Sequence, residues 1–377
     1  MPEARKFPHH LIREIFEQPE SLRRTLAPRV SLADGLVRLD DVRVSREELK
    51  AVERINIVAS GTSRHAGMTG QYMMQELAGV PVDVDYASEF EYRNPMIGHR
   101  ELSIFITQSG ETADTTAAQR EARKKGSKTI AISNVEDSTI TREADGFIYT
   151  DAGREISIAS TKAFTAQMAC LFLFALYLGE IKEKVSQAVA RHYIGELLAL
   201  PDKTETILAA SDEIEKLAEL YYRVDDFMFL GRAIHYPIAM DGALKLKEVS
   251  YIHAEGYPTG EAKHGPNALI DFRLPLVMIA TCDRNNKDAG VVTRYEKNVS
   301  NMEGFKKQGA TIIALATEGD DTIPKIADHT FFIPDAPELL SPILEIIPLQ
   351  LFAYYVALKR GLDVDRPRNL VKAVTLE

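Results

Sequence analysis

Two short segments of the 377-residue chain combine hydroxyl groups with glycine in a way that suits an anion. One is Thr107-Gln108-Ser109-Gly110-Glu111-Thr112, after an apolar run, and the other is Ser60-Gly61-Thr62-Ser63, after another apolar run. Each segment precedes a helical pattern, and amides at a helix start lack partners and favour negative charge. Hydroxyls add rotatable donors, and glycine lets the backbone approach closely. The segments therefore predict a phosphate site that needs no lysine or arginine.

The same residue types also serve as ordinary helix caps, so each loop alone has two interpretations. Two such loops at equivalent strand ends favour phosphate, because ligands of parallel α/β sheets bind beyond the carboxyl ends of the strands. Neither loop contains GK[ST] or GxGxxG, which leaves nicotinamide and flavin use unsupported, and no cofactor is expected. The nine histidines have no metal-ligand spacing, so no metal site is expected either.

Alternating strand and helix patterns position these loops. Strands are predicted at 55–59, 82–86, 103–107, 129–133 and 146–149, and again at 227–230, 276–281, 311–316 and 330–333. Helices are predicted at 9–17, 66–77, 112–125, 238–252, 291–307 and 339–359, with a long helical region at 161–222 broken near Pro201. The alternation predicts parallel sheets covered by helices on both faces. A capping box is expected at Ser45 and Glu48.

The two halves of the chain are related. AISNVEDSTITREADGFIYTDAG matches ALATEGDDTIPKIADHTFFIPDAP, so Ala131 aligns with Ala314 at an offset of 183 (314 − 131), and Asp145 aligns with Asp328. The expected fold is two tandem doubly wound parallel-sheet domains, each a three-layer α/β/α unit, with an N-terminal helical arm and a C-terminal tail. The expected boundaries are 1–50, 51–200, 201–365 and 366–377. The second half has LGRA and TCDRNN in place of the hydroxyl-rich loops, which indicates that the two domains have different functions.

Composition restricts the class of protein. A net charge of −10 argues against nonspecific nucleic-acid binding. Two isolated cysteines, Cys170 and Cys282, make no disulfide framework and fit a reducing compartment, and Cys170 is expected to be buried. The N-terminal residues contain no apolar signal segment, and the apolar run 168–179 is too short to span a bilayer. A soluble cytoplasmic protein that does not bind membranes is expected.

Longer stretches of the chain carry a family resemblance. They are SGTS, YASEFEYR, QSGETADT, IASTKAFT, GALKLKEVSYIHAEGYPTGEAKHGP and the tail DVDRPRNLVKAVTLE, which run from residue 60 to the end. With these stretches the chain resembles the sugar isomerase (SIS) superfamily. Within it, the chain looks most like the isomerase portion of the glutamine:fructose-6-phosphate aminotransferases, also called glucosamine-6-phosphate synthases.

The resemblance implies a role for each matching residue. Glu248 would be the base that moves a proton between C1 and C2, with Lys245 assisting the proton relay. His264 would open the sugar ring, supplied by the neighbouring subunit of a homodimer that shares its active sites. Lys372 would form a Schiff base with the ketose. The residues implied in binding the 6-phosphate and the sugar are Ser60, Gly61, Thr62, Ser63, Thr107, Gln108, Ser109, Thr112, Ile158, Ser160 and Val371.

Three departures from the family pattern matter. Ser60 stands where the family usually has cysteine, so chemistry based on that thiol is absent. Thr107 stands where serine is usual, which keeps the hydroxyl and adds a methyl group. The sequence contains no counterpart of the glutaminase domain with its N-terminal cysteine nucleophile, so ammonia would come from solution or from a partner.

Without the resemblance, the three catalytic candidates have ordinary interpretations. Glu248 lies three residues from Lys245 on a predicted helix, which equally fits a surface ion pair. His264 lies in a turn, where a lone histidine is usually solvated. Lys372 is near the end of the chain, where lysines are usually solvated, although Leu370, Val371 and Val374 could dock the tail and lower its pKa.

The leading hypothesis is reversible interconversion of fructose 6-phosphate plus free ammonia with glucosamine 6-phosphate. Plain isomerisation of a sugar phosphate and deglycation of an amine-linked sugar phosphate are the enzymatic alternatives. A non-catalytic sugar-phosphate sensor is the alternative from another class, although no basic helix-turn-helix is present. A fourth reading is that the chain is a fragment excised from a longer synthase, because EIFEQPESL resembles the segment that follows the glutaminase there.

Overall fold

The computed structural model describes residues 7–373, which form two compact units. The first unit comprises residues 20–155, 162–201 and 371–373, and the second unit comprises residues 7–19, 156–161 and 202–370. The chain therefore passes from one unit to the other several times. The last four residues, which include Val374 of the predicted tail, and residues 1–6 lie outside the described range.

The strands and helices alternate along most of the chain. The strands are β1 (Val30–Ser31), β2 (Leu36–Val37), β3 (Arg54–Ala59), β4 (Val82–Tyr86), β5 (Glu101–Thr107), β6 (Lys128–Ser133), β7 (Gly146–Tyr149), β8 (Asp226–Gly231), β9 (His253–Pro258), β10 (Leu276–Ile279), β11 (Ile312–Thr317) and β12 (His329–Ile333). The helices are α1 (His10–Phe16), α2 (Gln18–Leu26), α3 (Arg46–Ala51), α4 (Gly61–Ala78), α5 (Ala87–Phe90), α6 (Ala113–Lys124), α7 (Thr139–Glu143), α8 (Lys162–Ile181), α9 (Gln187–Ala209), α10 (Ser211–Tyr221), α11 (Tyr236–Ser250), α12 (Ala289–Lys307) and α13 (Ser341–Lys359).

Each unit is built on a five-stranded parallel sheet. The first sheet has the order β4-β3-β5-β6-β7, and the second has the same order, β9-β8-β10-β11-β12. This order places a topological switch point between the first and third strands of each sheet, where doubly wound folds bind their ligands. The prediction of two parallel α/β domains with a helical N-terminal arm is confirmed.

The central strands β5, β8, β10 and β11 form because their sequences are mostly apolar runs, as expected for sheets covered on both faces. In β5, for example, six of the seven residues are buried. Two helices, α8 and α13, are long and apolar enough to cross a membrane by length and composition, but 89% and 94% of their most apolar windows are buried inside the protein. Cys170 lies in α8 and is fully buried, as predicted, and burial raises the pKa of its thiol to about 12.

The internal repeat has a direct structural counterpart. Asp145 accepts a hydrogen bond from the amide of Thr129 at 2.8 Å, and Asp328 accepts one from the amide of Ile312 at 2.8 Å. Both pairs are related by the offset of 183 residues (328 − 145 and 312 − 129). Each aspartate therefore ties the turn before the last strand of its sheet to the start of the preceding strand.

Three details differ from the sequence-based prediction. Strand β9 was missed because its sequence, HAEGYP, is polar and lies at the edge of the sheet. Pro201 lies inside α9 and does not end it, so the prediction of a break there is wrong, and the breaks fall instead at residues 182–186 and 210. Helix α4 begins five residues before its predicted start, at Gly61. The capping box of Ser45 and Glu48 is present as predicted.

Candidate active site

The two hydroxyl-rich loops lie side by side at the switch point of the first sheet. Ala59, at the end of β3, is the register partner of Ile106 in the neighbouring β5. Ser60 and Thr112 then occupy the cap positions of α4 and α6. The sheet topology therefore brings together the residues that the sequence assigned to phosphate binding.

The loop after β5 is fixed by Gly110, which adopts a left-handed conformation with φ +71°. A Cβ on this residue would lie 2.0 Å from the hydroxyl oxygen of Ser138, so only glycine fits without a shift. The carbonyl of Gly110 accepts a hydrogen bond from the amide of Ile140 at 3.2 Å. The Glu111 carboxylate accepts one from the amide of Thr139 at 2.7 Å, and this bond lowers the pKa of Glu111. Two hydrogen bonds therefore connect the loop to α7.

The hydroxyl groups of these loops do not cap the helices. Within residues 7–373, neither Ser60 nor Thr112 makes a side-chain hydrogen bond to the first turn of its helix. The hydroxyls of Thr107 and Thr112 bond to each other at 2.8 Å, and the Ser109 hydroxyl accepts from the amide of Glu111 at 3.2 Å. This arrangement favours anion binding over simple capping, because the first-turn amides keep their hydrogen-bonding capacity.

The first unit also contains Lys372, which reaches a buried carboxylate. Its Nζ lies 2.5 Å from Oε2 of Glu155, whose side chain is completely buried. The other oxygen of Glu155 accepts from the amide of Ala163, in the first turn of α8, at 3.2 Å. The predicted apolar docking of the tail is wrong for Leu370 and Val371, which are 39% and 66% exposed. An ion pair holds the lysine instead.

The segment that carries Glu155 is rigidly held. Asn134 accepts hydrogen bonds from the Thr150 hydroxyl at 2.7 Å and from the amide of Ala152 at 2.9 Å. Its amide nitrogen donates to the carbonyl of Gly153 at 2.8 Å. Arg24 donates to the carbonyl of Ala152 at 3.0 Å. The buried carboxylate therefore stands on a fixed backbone.

The second unit contains the other catalytic candidates, beginning with Glu248 on α11. Lys245 lies 2.5 Å from Glu248, and its side chain is only 3% exposed, so the pair is not an ordinary surface ion pair. Helix α11 ends at Ser250 and is followed by its C-cap residue Tyr251, which adopts φ +61°. The Tyr251 hydroxyl accepts from the amide of Arg368 at 2.8 Å, and the Arg368 guanidinium stacks on its ring at 4.2 Å. The segment before the tail is thereby attached to the end of this helix.

His264 lies at the end of a short 3-10 helix, Glu261–His264, and is exposed. Gly265 follows with φ +141°, a conformation that only glycine adopts readily. A second 3-10 helix, Pro266–Leu269, comes next. The predicted turn is therefore present, and its histidine faces solvent in the isolated chain.

The segment with Ile158 and Ser160 belongs to the second unit and is organised by the N-terminal arm. Glu14 on α1 is fully buried and accepts hydrogen bonds from the amides of Ile156 at 2.5 Å and Ser157 at 3.2 Å. The carbonyl of Asp365 accepts from the amide of Ile158 at 3.2 Å. Sequence reasoning missed Glu14, although a charged residue among Leu11, Ile12 and Ile15 indicated a buried carboxylate.

The equivalent switch point of the second sheet is filled by side chains of the chain itself. His235 lies 2.8 Å from Glu345 and 3.6 Å from Glu338, while Arg294 pairs with Glu338 and Thr281 donates to Glu345 at 2.6 Å. Burial alone would lower the pKa of His235, but the two carboxylates raise it to about 10. Burial would raise the pKa of Glu338, but its two cations lower it to about 2. The carboxylates of Glu338 and Glu345 thus lie at the position in the second unit that corresponds to the hydroxyl-rich loops of the first unit.

The structure therefore groups the predicted residues by unit. The first unit holds Ser60, Gly61, Thr62, Ser63, Thr107, Gln108, Ser109, Thr112, Val371 and Lys372, and the second unit holds Ile158, Ser160, Lys245, Glu248 and His264. Sequence reasoning missed Glu155, which has no local signal beyond lying three residues before Ile158. It also missed Ser138, whose hydroxyl packs under Gly110.

Comparisons with known proteins converge on one family. The sequence model of the SIS domain matches residues 48–177 and 220–360. The chain is 45% identical over 371 residues to the glutamine–fructose-6-phosphate aminotransferase (isomerizing) of Caldanaerobacter subterraneus subsp. tengcongensis, a match that covers 98% of this chain and 59% of the relative. The chain therefore spans about three fifths of the length of the curated relatives it matches.

Solved structures agree with this result. The C-terminal domain of glucosamine-fructose-6-phosphate aminotransferase from Francisella tularensis superimposes with a TM-score of 0.88 and 36% identity, covering 96% of this chain and 99% of that domain. A glucosamine-6-phosphate deaminase from Thermotoga maritima superimposes with a TM-score of 0.72 and 22% identity, covering 98% and 100% of the two chains. The second likeness shows the shared fold.

Proposed function

The chain belongs to the SIS domain family, and we propose that it interconverts fructose 6-phosphate plus ammonia with glucosamine 6-phosphate. The observation that carries the proposal is the pair of uncapped, hydroxyl-rich helix starts at the switch point of the first sheet. Such a site suits a phosphate group. The 36% identity to a glucosamine-fructose-6-phosphate aminotransferase domain, over nearly the whole chain, supports the sugar and the chemistry.

The proposed roles follow the chemistry of each group. The hydroxyls and amides of residues 60–63 and 107–112 bind the 6-phosphate, and Ile158, Ser160 and Val371 line the sugar. His264 opens the ring. Lys372 attacks C2 of the open ketose to form an imine, which ammonia then replaces. Glu248 moves a proton between C1 and C2, and Lys245 assists it.

Glu248 is suited to proton transfer because its environment is mixed. Its side chain is 22% exposed, while its partner Lys245 is almost fully buried. The ammonium of Lys245, 2.5 Å away, holds the carboxylate in place, and partial burial limits the hydration of the carboxylate. An exposed His264 suits a group that acts in a second copy of the chain, so we include a homodimer with shared sites in the proposal.

Two assays on the purified chain test the proposal. The first scores ammonia release from glucosamine 6-phosphate, and the second scores glucosamine 6-phosphate formed from ammonium and fructose 6-phosphate without glutamine. We expect both reactions, and we expect K372R to bind the sugar phosphate while losing amination and deamination. Turnover of fructose 6-phosphate to glucose 6-phosphate with no ammonia consumed would instead identify a plain isomerase. Normal turnover by K372R would refute the role of that lysine.

A further inference from the structure

The contact between Lys372 and Glu155 joins a reactive amine to a carboxylate that the proposed mechanism does not use. The two residues are 217 positions apart in the sequence, yet Nζ and Oε2 lie 2.5 Å apart. The Glu155 side chain is completely buried, while the lysine side chain is 25% exposed. Each oxygen of the buried Glu155 carboxylate therefore has a partner: Oε1 accepts from a helix amide, and Oε2 contacts the Lys372 ammonium.

A lysine can attack a carbonyl only after it loses a proton, because the ammonium has no free electron pair. The acceptor must lie within hydrogen-bond distance, and Glu155 Oε2 meets that condition in the resting structure. We propose that Glu155 is the positioning residue of Lys372 and takes its proton when the amine attacks the sugar carbonyl. This inference rests on the function proposed above.

The step balances in atoms and charge. Lys372 gives one proton to Glu155, and its electron pair forms a bond to C2 while the carbonyl electrons move to oxygen, which is protonated by the second amine proton. The resulting carbinolamine loses its hydroxyl as water, which takes the proton that Glu155 held. The products are the iminium ion and water, and Glu155 returns to its carboxylate form.

Other charged groups lie around the loop that precedes Glu155. Lys162, the first residue of α8, is buried, and its Nζ and the guanidinium of Arg24 both lie within 4 Å of a Cβ built on Gly153. Asp151 pairs with Arg29 at 2.7 Å. Glu155 Oε2 can therefore receive the proton of Lys372 directly, over the 2.5 Å contact that the structure shows.

The test follows imine formation directly. The full chain is mixed with a series of fructose 6-phosphate concentrations at one pH, samples are quenched with sodium borohydride, and mass spectrometry measures the reduced adduct at Lys372. We expect E155Q to lower the maximal rate of adduct formation about 10-fold, because the amine loses its acceptor. We also expect the fructose 6-phosphate concentration that gives half the maximal rate to stay at the wild-type value, because Glu155 acts on the amine after the sugar phosphate has bound.

Controls separate this role from a structural one. E53Q removes an exposed carboxylate that pairs with Arg100 at 2.8 Å, and it should leave the maximal rate and the half-saturating concentration unchanged. E155D keeps the charge on a shorter side chain, so its maximal rate should fall while the half-saturating concentration stays at the wild-type value, and it is the test if E155Q fails to fold. A folded E155Q with the wild-type maximal rate overturns the inference and leaves the proposed function standing. A wild-type chain that forms no adduct at Lys372 overturns the proposed Schiff base and this inference with it.

Discussion

Replacing Gly110 with alanine places a methyl group where the first unit has no room for one. The new Cβ would lie 2.0 Å from Oγ and 2.2 Å from Cβ of Ser138, and 3.0 Å from Oγ of Ser133. Ser138 precedes α7, whose amides hold the loop through the Gly110 carbonyl and the Glu111 carboxylate. The clash therefore acts on the same contacts that fix the phosphate loop.

The magnitude follows from two costs. A non-glycine residue in the left-handed region costs about 1–2 kcal/mol. Forcing an extra carbon into a packed site costs about 1–3 kcal/mol. We therefore expect G110A to lower the free energy of unfolding of the first unit by roughly 2–5 kcal/mol. At roughly 2–4 °C per kcal/mol, the melting temperature should fall by about 4–20 °C.

The assay is thermal unfolding together with calorimetric binding of glucosamine 6-phosphate. G309A is the matched control, because Gly309 also has positive φ (+88°) but nothing lies within 4 Å of a Cβ built on it. We expect G309A to show the backbone cost of about 1–2 kcal/mol and unchanged binding. G110A should also bind about 10-fold more weakly, because displaced amides no longer converge on the anion. Equal destabilisation by the two variants, with unchanged binding by G110A, would refute the reasoning.

Three further predictions concern buried charges. H235N should be less stable than the wild type near pH 7, and the difference should narrow as the pH rises. The reason is that a histidine whose pKa is raised from 6.5 to about 10 contributes fully below pH 6.5 and loses its contribution through pH 10, and urea unfolding measures this. E14Q should destabilise the chain by about 1–3 kcal/mol and raise KM, because the amides of residues 156 and 157 lose their charged hydrogen-bond acceptor. The control variant E17Q should change stability and KM little. K245M should lower kcat, because Glu248 loses the ammonium that lies 2.5 Å away; steady-state kinetics measures this, and an unchanged kcat would contradict it.

Much of the fold was predictable because local patterns determine it. Most strands of the two sheets are apolar runs, and apart from β9 their predicted and observed positions agree closely. The paired loops could be assigned to one edge of the sheet because parallel strands end on the same side. The repeat offset also located Asp145 and Asp328, which make the same contact in each unit.

The supporting contacts could not be predicted, because they join distant parts of the chain. Glu14 contacts Ser157 across 143 positions, and Glu155 contacts Lys372 across 217. Periodic patterns in a sequence do not reveal contacts between residues that are so far apart along the chain. The sequence alone also could not reject the interpretation of Lys245 and Glu248 as a surface ion pair. Only the burial of the Lys245 side chain distinguishes this pair from an ordinary one.

The roles assigned to individual site residues remain predictions, and phosphate binding by the first unit is the one on which the others depend. Calorimetric titration of the chain with glucosamine 6-phosphate and with glucosamine, in parallel with the double variant S109A/T112V, tests it most directly. We expect the wild type to bind the phosphorylated sugar at least about 100-fold more tightly than glucosamine, and the double variant to lose most of that difference. Equal affinity of the wild type for the two sugars, or full phosphate discrimination by the double variant, would contradict the account.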